Sequence, residues 1–435
     1  MQIMNEKTTT NNNNHLLIGG VDALELVSKY QTPLYVMDEE KIRKQCQTFM
    51  SSFKHNLVNT EVIYASKAFL NIAMCELIQQ EGLSLDVVSG GEMFTAITAG
   101  FPASKIFFHG NNKSIDEIKL ALDHHIGTIV LDNEDELKRL SSLVNKEHKV
   151  RVMLRINPGI DAHTHEYIRT TKNDSKFGVS IFDPKTLFLI QSIHNNPSLE
   201  FVGFHSHIGS QIFEENSFKE LATTNLKYIQ HVKKQLGIEV KELNLGGGFG
   251  AHYTKEDKPF SLESFLPQLL ETIHLISKEL EIKTPKILIE PGRAIVAEAG
   301  YTLYTISGTK ETFGGKNFVF TDGSMADHLR TALYQAKYHA SLANRMNDQV
   351  EKNYTVTGKA CESGDIIIKD VMLPVPKEND ILVVYSTGAY HYSMSSNYNR
   401  LLKPAVVFTA NGKSRLVVKK ETYEDLIRND LRLGK

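Results

Sequence analysis

A lysine follows a short apolar segment early in the chain. Residues 62–65 predict a buried strand, and Lys67 stands just beyond its end. An ammonium group there needs a partner, a path to solvent or a lowered pKa, and a desolvated lysine is a common nucleophile for forming Schiff bases with aldehydes. The alternative is a lysine that extends from the strand end into water. The choice depends on the residues that accompany it.

A run of three glycines, residues 246–248, lies between another predicted strand and a region with helical spacing. Backbone N–H groups in such a run can approach an anion closely, and a helix N-terminus would add a favourable dipole, so phosphate is the natural guest. Ser210 and the backbone of residues 292–293 follow neighbouring predicted strands and could complete a phosphate cradle. Tyr390 could reach in from a second domain. The alternative is a tight loop that requires positive φ angles.

Glu290 ends the apolar segment 287–289, and a buried carboxylate requires a cationic partner. A protonated pyridine nitrogen is one candidate, because the carboxylate would keep that ring charged and electron-withdrawing. A salt bridge to Arg293 is the alternative. His207 follows a predicted strand and could stack flat on an aromatic cofactor.

The histidines also permit a different interpretation. The pairs His205-x-His207 and His163-x-His165 resemble zinc-ligand pairs, which would indicate a metal-dependent hydrolase. The sequence offers no obvious carboxylate ligand pattern to support them, and a metal site leaves Lys67 and the glycine run without a role. We therefore predict no bound metal.

Two groups in the C-terminal third could act on a substrate. Cys361 and Glu362 lie in a predicted turn, which would expose the thiol as a proton donor, whereas a small buried side chain is the alternative. Arg330 and Tyr334 are four residues apart on a predicted helix and share one face. Together they could hold a carboxylate through a bidentate pair and one hydroxyl. An exposed surface pair is the alternative.

Eight strand-like segments alternate with helix-like segments between residues 61 and 293. We predict strands at 62–65, 83–88, 105–108, 128–131, 150–156, 201–204, 242–245 and 286–289. This rhythm predicts a (β/α)8 TIM-like barrel, with its active site at the C-terminal ends of the strands. A doubly wound sheet is the alternative, but a dinucleotide-binding sheet would need G-x-G-x-x-G where this chain has Ser66-Lys67-Ala68. Every predicted strand ends in polar residues or glycines, among them Asp86, His109, Asp132, Arg155 and His205.

The pattern changes after residue 300. Alternating and β-branched segments, separated by turns such as Asn411-Gly412, predict a mostly antiparallel β domain. We assign residues 1–15 to a disordered leader, 16–40 to an N-terminal segment that joins the β domain, 41–300 to the barrel and 301–435 to the C-terminal β domain. The polar stretch 163–175 suggests a lid.

Composition narrows the functional class. The chain has 435 residues, 41% hydrophobic and 23% charged, which suits one large and one smaller folded domain. A net charge of −2 gives no bulk attraction to nucleic acid or membrane surfaces, and no apolar run approaches the roughly 20 residues that span a bilayer. Three widely spaced cysteines form no disulfide framework, so we expect a reducing cytoplasm.

Taken in order, these residues resemble a known family. The chain is similar to the fold-type III pyridoxal-phosphate decarboxylases, and in particular to members that act on diaminopimelate, from about Thr32 to Leu426. The resemblance rests on ordered blocks that read Y-A-S-K-A (64–68), L-D-V-V-S-G-G-E (85–92), F-F-H-G-N-N-K-S (107–114), H-I-G-S-Q (207–211), N-L-G-G-G-F-G (244–250), E-P-G-R (290–293), C-E-S-G-D (361–365), G-A-Y (388–390) and M-S-S-N-Y-N (394–399).

The resemblance implies an activity and a role for each residue. The reaction would be decarboxylation of meso-2,6-diaminopimelate to L-lysine, or, as the alternative, of a basic amino acid such as ornithine. Lys67 would bond to the cofactor's aldehyde, and Cys361 would be the proton donor, offered with Glu362 by the partner subunit of a homodimer. The remaining cofactor-binding residues would be His207, Ser210, Gly246, Gly247, Gly248, Glu290, Pro291, Gly292, Arg293 and Tyr390. The substrate-binding residues would be Arg293, Arg330, Tyr334, Glu362 and Tyr390.

The chain departs from the family pattern at three places. Many members have proline where this chain has Thr331, and glycine where it has His391. An arginine-proline pattern is common where this chain reads R-L-L-K-P over residues 400–404. These departures concern local geometry and subunit contacts rather than the cofactor.

Overall fold

The computed structural model describes residues 9–145, 149–160 and 175–434. The chain divides into two compact units. The barrel unit comprises Lys44–Gly250 and Lys258–Ala294, and the sheet unit comprises Met1–Arg43, Ala251–Asp257 and Ile295–Lys435.

Strands and helices alternate through the first two thirds of the chain, and strands dominate the last third. The strands in the described residues are β1 (Leu17–Ile18), β2 (Val21–Asp22), β3 (Leu34–Asp38), β4 (Thr60–Ala65), β5 (Ser84–Val87), β6 (Ile106–Phe108), β7 (Thr128–Leu131), β8 (Val150–Asn157), β9 (Val179–Ser180), β10 (Leu199–His205), β11 (Glu242–Asn244), β12 (Lys286–Ile289), β13 (Gly300–Glu311), β14 (Asn317–Thr321), β15 (Ala340–Leu342), β16 (Lys352–Thr357), β17 (Ile366–Leu373), β18 (Ile381–Tyr385), β19 (Ala405–Ala410) and β20 (Lys413–Val418). The α-helices there are α1 (Ala23–Tyr30), α2 (Glu39–Ser52), α3 (Ile72–Gln80), α4 (Gly90–Thr98), α5 (Ile115–Asp123), α6 (Glu134–Leu143), α7 (Lys185–Asn195), α8 (Glu215–Leu236), α9 (Leu262–Glu279), α10 (Arg293–Val296), α11 (Leu329–Tyr334) and α12 (Tyr423–Ile427).

Eight parallel strands close into a barrel. Their order is β4, β5, β6, β7, β8, β10, β11 and β12, and β12 pairs with β4 to complete the ring. The predicted (β/α)8 barrel is confirmed, and the doubly wound alternative is wrong because the sheet has no open ends. The barrel interior is filled by one buried side chain from each of six strands, Ile63, Phe107, Val130, Met153, Val202 and Leu288.

Local sequence determines where several rim loops end and their helices begin. The side chains of Asn71, Ser89 and Asn133 each accept a hydrogen bond from the backbone N–H three residues later, at the starts of α3, α4 and α6. Ser114 and Glu117 form a reciprocal capping box at α5. Such caps satisfy N–H groups that have no partner within the helix.

The sheet unit contains a nine-stranded, mostly antiparallel sheet, as predicted. Its main path runs β17, β16, β14, β13, β3, β19, β20, and β18 pairs with both β13 and β15. The parallel pairings are β14 with β16 and β3 with β19. Strand β3, from the N-terminal segment, thus lies between β13 and β19.

The described part of the N-terminal segment makes specific contacts. The N–H of Leu17 donates to the carbonyl of Thr9 at 2.8 Å, and the amide of Asn11 donates to Asp22 at 2.8 Å. Residues 9–15, which we assigned to a disordered leader, are therefore held by hydrogen bonds, and residues 1–8 lie outside the described part. No helix among the described residues is long and apolar enough to span a bilayer.

Candidate active site

Lys67 lies at the rim of the barrel, in a short 3₁₀ turn that follows β4 (Ser66–Ala68). The turn is fixed on two sides. The Ser66 N–H donates to Asp86 Oδ1 at 3.1 Å, and the Ala65 N–H donates to the Pro291 carbonyl at 3.1 Å. The Lys67 side chain is exposed, so the desolvation that we expected for it is not observed. Its amine instead reaches solvent from the turn that follows β4.

Glu290 follows β12 and is almost fully buried. Its Oε1 lies 2.8 Å from His109 Nε2 and accepts a hydrogen bond from Asn244 Nδ2 at 2.7 Å, and its Oε2 lies 3.1 Å from His205 Nε2. Arg293, the partner that we considered, instead donates to another residue. The three side chains that hold the Glu290 carboxylate come from three different strands or strand ends.

The protonation of this group follows from burial and from its neighbours. Burial by itself raises the pKa of Glu290. The contacts with His109 and His205 lower this pKa by more than burial raises it, so the net pKa lies well below its usual value. Burial and the charge of Glu290 raise the pKa of Asp86 well above its usual value. Burial lowers the pKa of His205 to about 4, so its ring is neutral near pH 7. Glu290 is therefore ionised near pH 7, and its negative charge makes ionisation of Asp86 less favourable.

His207 and the glycine run lie against each other at the same rim. A Cβ on Gly246 would come within 2.6 Å of the Ser206 carbonyl and 2.9 Å of His207 Cβ. Burial, with the charges of Lys67 and Arg155, lowers the pKa of His207 well below its usual value, so this ring is also neutral. A neutral, flat imidazole suits stacking on an aromatic ring.

The glycine run cannot carry side chains. A Cβ on Gly247 would lie 2.3 Å from the Glu290 carbonyl, and one on Gly248 would lie 2.6 Å from the Gly209 carbonyl. Gly246 and Gly248 also have φ angles of +69° and +111°. The helix that follows the run, α9, begins only at Leu262, so the helix N-terminus that we expected to add a favourable dipole is not next to the glycines. The loop therefore offers backbone N–H groups to a ligand, without the dipole of α9.

Ser210 and the loop after β12 complete the rim group. Arg293 donates from Nε and Nη2 to Ser210 Oγ, at 3.2 and 3.0 Å. A Cβ on Gly292 would lie 2.8 Å from Ala65 Cβ, so glycine lets this loop pack against β4. The structure thus brings the expected phosphate-cradle residues of the barrel unit together beside Lys67 and Glu290.

Arg330, Tyr334 and Tyr390 lie together in the sheet unit. The guanidinium carbon of Arg330 is 5.0 Å from the ring centre of Tyr334 and 5.2 Å from that of Tyr390. Arg330 is only 9% exposed, so the alternative of a surface arginine is wrong, and its Nε donates to the Tyr338 hydroxyl at 3.0 Å. Helix α11 places Arg330 and Tyr334 on one face, as their spacing predicts.

Cys361 and Glu362 lie in an exposed turn of the sheet unit. The Cys361 N–H donates to Asn399 Oδ1 at 2.7 Å, and Glu362 Oε1 accepts from the Gly364 N–H at 3.3 Å. The thiol is exposed and free, so the alternative of a small buried side chain is wrong. Of the metal pairs that we considered, His163 and His165 lie outside the described residues, as does most of the suggested lid.

Two groups of residues gained a role only from the structure. The ligand atoms of His109, His205 and Glu290 lie within 4.8 Å of one another and are of the types that a metal would take. The short contacts among them join histidine nitrogens to carboxylate oxygens, through a hydrogen bond between His205 and Glu290 and a 2.8 Å contact between His109 Nε2 and Glu290 Oε1. Sequence reasoning placed His109 at the rim without a partner and gave Asn244 and Tyr338 no role. Only position after a predicted strand marked His109, and no signal marked Tyr338.

The departures from the family pattern are accommodated locally. The Thr331 hydroxyl donates to the Ile367 carbonyl at 2.7 Å, a bond that proline could not make. His391 is buried, and its Nδ1 lies 3.0 Å from the Ala389 carbonyl. The Lys403 N–H donates to Glu421 Oε2 at 2.8 Å.

Comparison with known proteins gives a consistent family. Residues 39–297 match the family described as pyridoxal-dependent decarboxylase, pyridoxal binding domain. The chain is 48% identical to diaminopimelate decarboxylase of Bacillus subtilis (strain 168), across 96% of this chain and 95% of that protein. It superimposes with a TM-score of 0.91 on the diaminopimelate decarboxylase of M. jannaschii solved with L-lysine, at 32% identity and 98% coverage of both chains.

A structure with lower sequence identity shows a more limited similarity. The lysine/ornithine decarboxylase of Vibrio vulnificus solved with putrescine has a TM-score of 0.75 but only 21% identity, across 90% of this chain and 97% of that one, so it shares the fold alone. The other matches cover nearly the whole chain or its pyridoxal-binding domain, and the two named relatives are 32% and 48% identical to it, which is sufficient to assign the family. The chain belongs to the pyridoxal-dependent decarboxylases and, within them, to the diaminopimelate decarboxylase family.

Proposed function

We propose that this chain uses pyridoxal phosphate to decarboxylate meso-2,6-diaminopimelate to L-lysine and CO2, the last step of lysine biosynthesis. One observation carries the proposal. An exposed amine, Lys67, shares a barrel rim with an ionised buried carboxylate, Glu290, and with a glycine loop that cannot hold side chains. The relatives that share nearly the whole chain bear the name of this activity.

The residues of the rim fit the parts of this cofactor. Lys67 supplies the amine that bonds to the aldehyde, and Glu290 supplies an anion for the pyridine nitrogen. His207 offers a neutral flat ring to the face of the pyridine. The phosphate would be held by Ser210, Gly246, Gly247, Gly248, Pro291, Gly292, Arg293 and Tyr390. Each expected part of the cofactor thus has a residue of suitable chemistry.

The chemistry that the cofactor supplies when bound is withdrawal of electrons from the substrate's α-carbon, which permits loss of CO2. Glu290 would support this by stabilising a proton on the ring nitrogen, and His109, His205 and Asn244 keep Glu290 ionised and oriented. Cys361 Sγ–H supplies the proton that replaces the lost carboxylate, with Glu362 beside it. Lys67 would hold the cofactor through its aldehyde when no substrate is bound.

Arg330 decides between the proposed substrate and its alternative. Diaminopimelate has a second carboxylate at its distal end, whereas ornithine has only an amine there. The buried Arg330 guanidinium lies near two tyrosine rings, and a substrate without the distal carboxylate would displace water from it without offering a new hydrogen-bond partner. Arg293, Tyr334 and Tyr390 would add hydrogen bonds. Assay of CO2 release from diaminopimelate, lysine and ornithine separates the two, and we expect release from diaminopimelate alone.

The covalent role of Lys67 has a direct test. The purified protein should absorb visible light, lose that absorbance on borohydride treatment, and then yield a peptide modified at Lys67. Lys105, which is also exposed in the barrel unit, serves as the control and should remain unmodified. A colourless protein, or label on other lysines alone, would overturn the proposal.

We also propose a homodimer in which Cys361 and Glu362 complete the partner subunit's site. Mixing Lys67→Ala with Cys361→Ala should then restore activity, to about a quarter of wild type if subunits exchange at random. Mixtures that stay inactive after subunit exchange has been demonstrated would exclude shared sites. A cytoplasmic location is proposed from the three free cysteines, and an oxidising compartment would reveal itself by a disulfide in the isolated protein.

A further inference from the structure

One N–H group of Arg330 already donates a hydrogen bond within the protein. Its Nε–H donates to the Tyr338 hydroxyl at 3.0 Å, and Tyr338 itself is only 6% exposed. A guanidinium group can bind a carboxylate along the edge that contains Nε and one terminal nitrogen, or along the edge that contains Nη1 and Nη2. Because Nε already donates to Tyr338, the first edge is not available for a carboxylate, and the edge that contains Nη1 and Nη2 is.

Tyr338 is held in place by rings on several sides. Its ring centre lies 4.7 Å from that of His328, 5.2 Å from that of His391 and 5.4 Å from that of Tyr253, each in an edge-to-face arrangement. The rings of His328 and His391 also contact each other, with centres 4.5 Å apart. A hydroxyl on so constrained a ring is a fixed point for the Arg330 side chain.

Two aromatic rings also lie close to the guanidinium. The rings of Tyr334 and Tyr390 lie 5.0 and 5.2 Å from its central carbon, so rotation of the group would have to displace them. With Nε tied and two tyrosine rings adjacent, Arg330 has little freedom to present a different edge. Pre-organised donors of this kind improve affinity by reducing the ordering that binding requires.

We propose that Tyr338 is a positioning residue that holds Arg330 so that the Nη1–Nη2 edge meets the distal carboxylate of the substrate. The inference rests on the proposed function and adds to it the residue that sets this recognition. Tyr338 acts through Arg330 and does not itself contact the substrate.

The test is Tyr338→Phe, which removes the hydroxyl and keeps the ring. We expect KM for diaminopimelate to rise about tenfold while kcat changes less than about twofold, because one hydrogen bond to a charged group is lost in binding alone. Binding to the holoenzyme gives a second measurement. L-lysine, which retains the distal carboxylate, should bind about tenfold more weakly by calorimetry, whereas pentane-1,5-diamine, which has none, should bind as in wild type.

The control is Tyr354→Phe, the same change at another buried tyrosine of the sheet unit, with 6% exposure. It should leave KM and both affinities unchanged. Because lysine and diamine binding are compared on one preparation, a loss of folded protein would affect both equally and leave their ratio intact.

A double-mutant cycle shows whether Tyr338 acts through the guanidinium. In an Arg330→Lys background there is no Nε–H to hold, so adding Tyr338→Phe should change KM by less than about twofold. If Tyr338→Phe leaves KM and lysine affinity at wild-type values, or has the same effect in both backgrounds, the inference is wrong. A wild-type protein that releases no CO2 from diaminopimelate would instead overturn the proposed function.

Discussion

The barrel rim buries an anion, whereas the sheet unit buries a cation, and the two are held by similar means. Glu290 contacts two imidazoles and accepts a hydrogen bond from an amide, whereas Arg330 donates one to a phenol and lies near two tyrosine rings. Neither has a residue of permanent opposite charge as a direct partner in the described structure. Each charge therefore remains available to a ligand.

A third buried charge shows the opposite arrangement. Lys113 and Glu136, 2% and 0% exposed, form an ion pair at 3.2 Å in which Lys113 also donates to the carbonyls of Gly110 and Val130. Here each charge neutralises the other, and nothing is left for a ligand. The comparison suggests that the type of partner, rather than burial, distinguishes functional from structural charges in this protein.

The largest effect is expected at Glu290. Replacement by glutamine removes the anion that would stabilise a protonated ring nitrogen, so Glu290→Gln should lower kcat about 10³-fold. Steady-state kinetics on cofactor-loaded protein measures it, and the exposed Glu279→Gln is the control. An unchanged kcat would mean that the buried anion of Glu290 has no role in the reaction.

The next effect sharpens the contrast with the structural pair. Lys113→Met leaves Glu136 as a buried charge without its cation, and should lower the free energy of unfolding by about 3 kcal/mol. Urea denaturation measures the loss, and the control is Lys119→Met, at an exposed lysine of α5, the helix that follows Lys113. If the two variants were equally stable, the ion pair would not have the structural role assigned to it.

At the cationic end, Arg330→Ala should raise KM for diaminopimelate about 10²-fold, equivalent to about 2.7 kcal/mol, and leave cofactor affinity within about twofold. Titration of the apoprotein with pyridoxal phosphate measures the second quantity. The exposed Arg428→Ala is the control. Equal losses of substrate and cofactor binding would count against separate roles for the two regions.

The last effect appears only when the pH is lowered and concerns His328, the neutral neighbour of the Arg330 group. Burial, and then the charge of Arg330, lower its pKa to about 3, compared with about 6.5 in the unfolded chain. Between these pH values the unfolded state binds the additional proton, so His328 makes the folded state less stable as the pH falls, by about 1.4 kcal/mol per unit. His328→Phe should remove this contribution.

The measurement is the difference in melting temperature between His328→Phe and wild type, from pH 7 to pH 4. Asp327, adjacent in sequence, has the opposite dependence, because burial raises its pKa to about 7. Its contribution is common to both proteins and cancels in the difference. The difference should move in favour of the variant as the pH falls, and a constant difference would mean that His328 is not held neutral.

The sequence alone was sufficient for features that depend on neighbours along the chain. Strand and helix periodicity predicted the barrel, and the strand expected at 242–245 forms as Glu242–Asn244. The four-residue spacing of Arg330 and Tyr334 was enough to place them on one face, because helix geometry is local. The helix predicted after the glycine run begins only at Leu262, and no local signal showed that the loop would extend so far.

Only the tertiary structure decided which groups meet. Closure of the barrel brings His109 and His205 to Glu290 across more than eighty residues of sequence. These histidines lower the pKa of Glu290, whereas burial and the charge of Glu290 raise the pKa of Asp86. The partner of Arg330 was equally hidden, because Tyr338 lies beyond the end of α11. Desolvation and hydrogen bonding depend on distances in space, and a sequence pattern specifies those only within a single helix or strand.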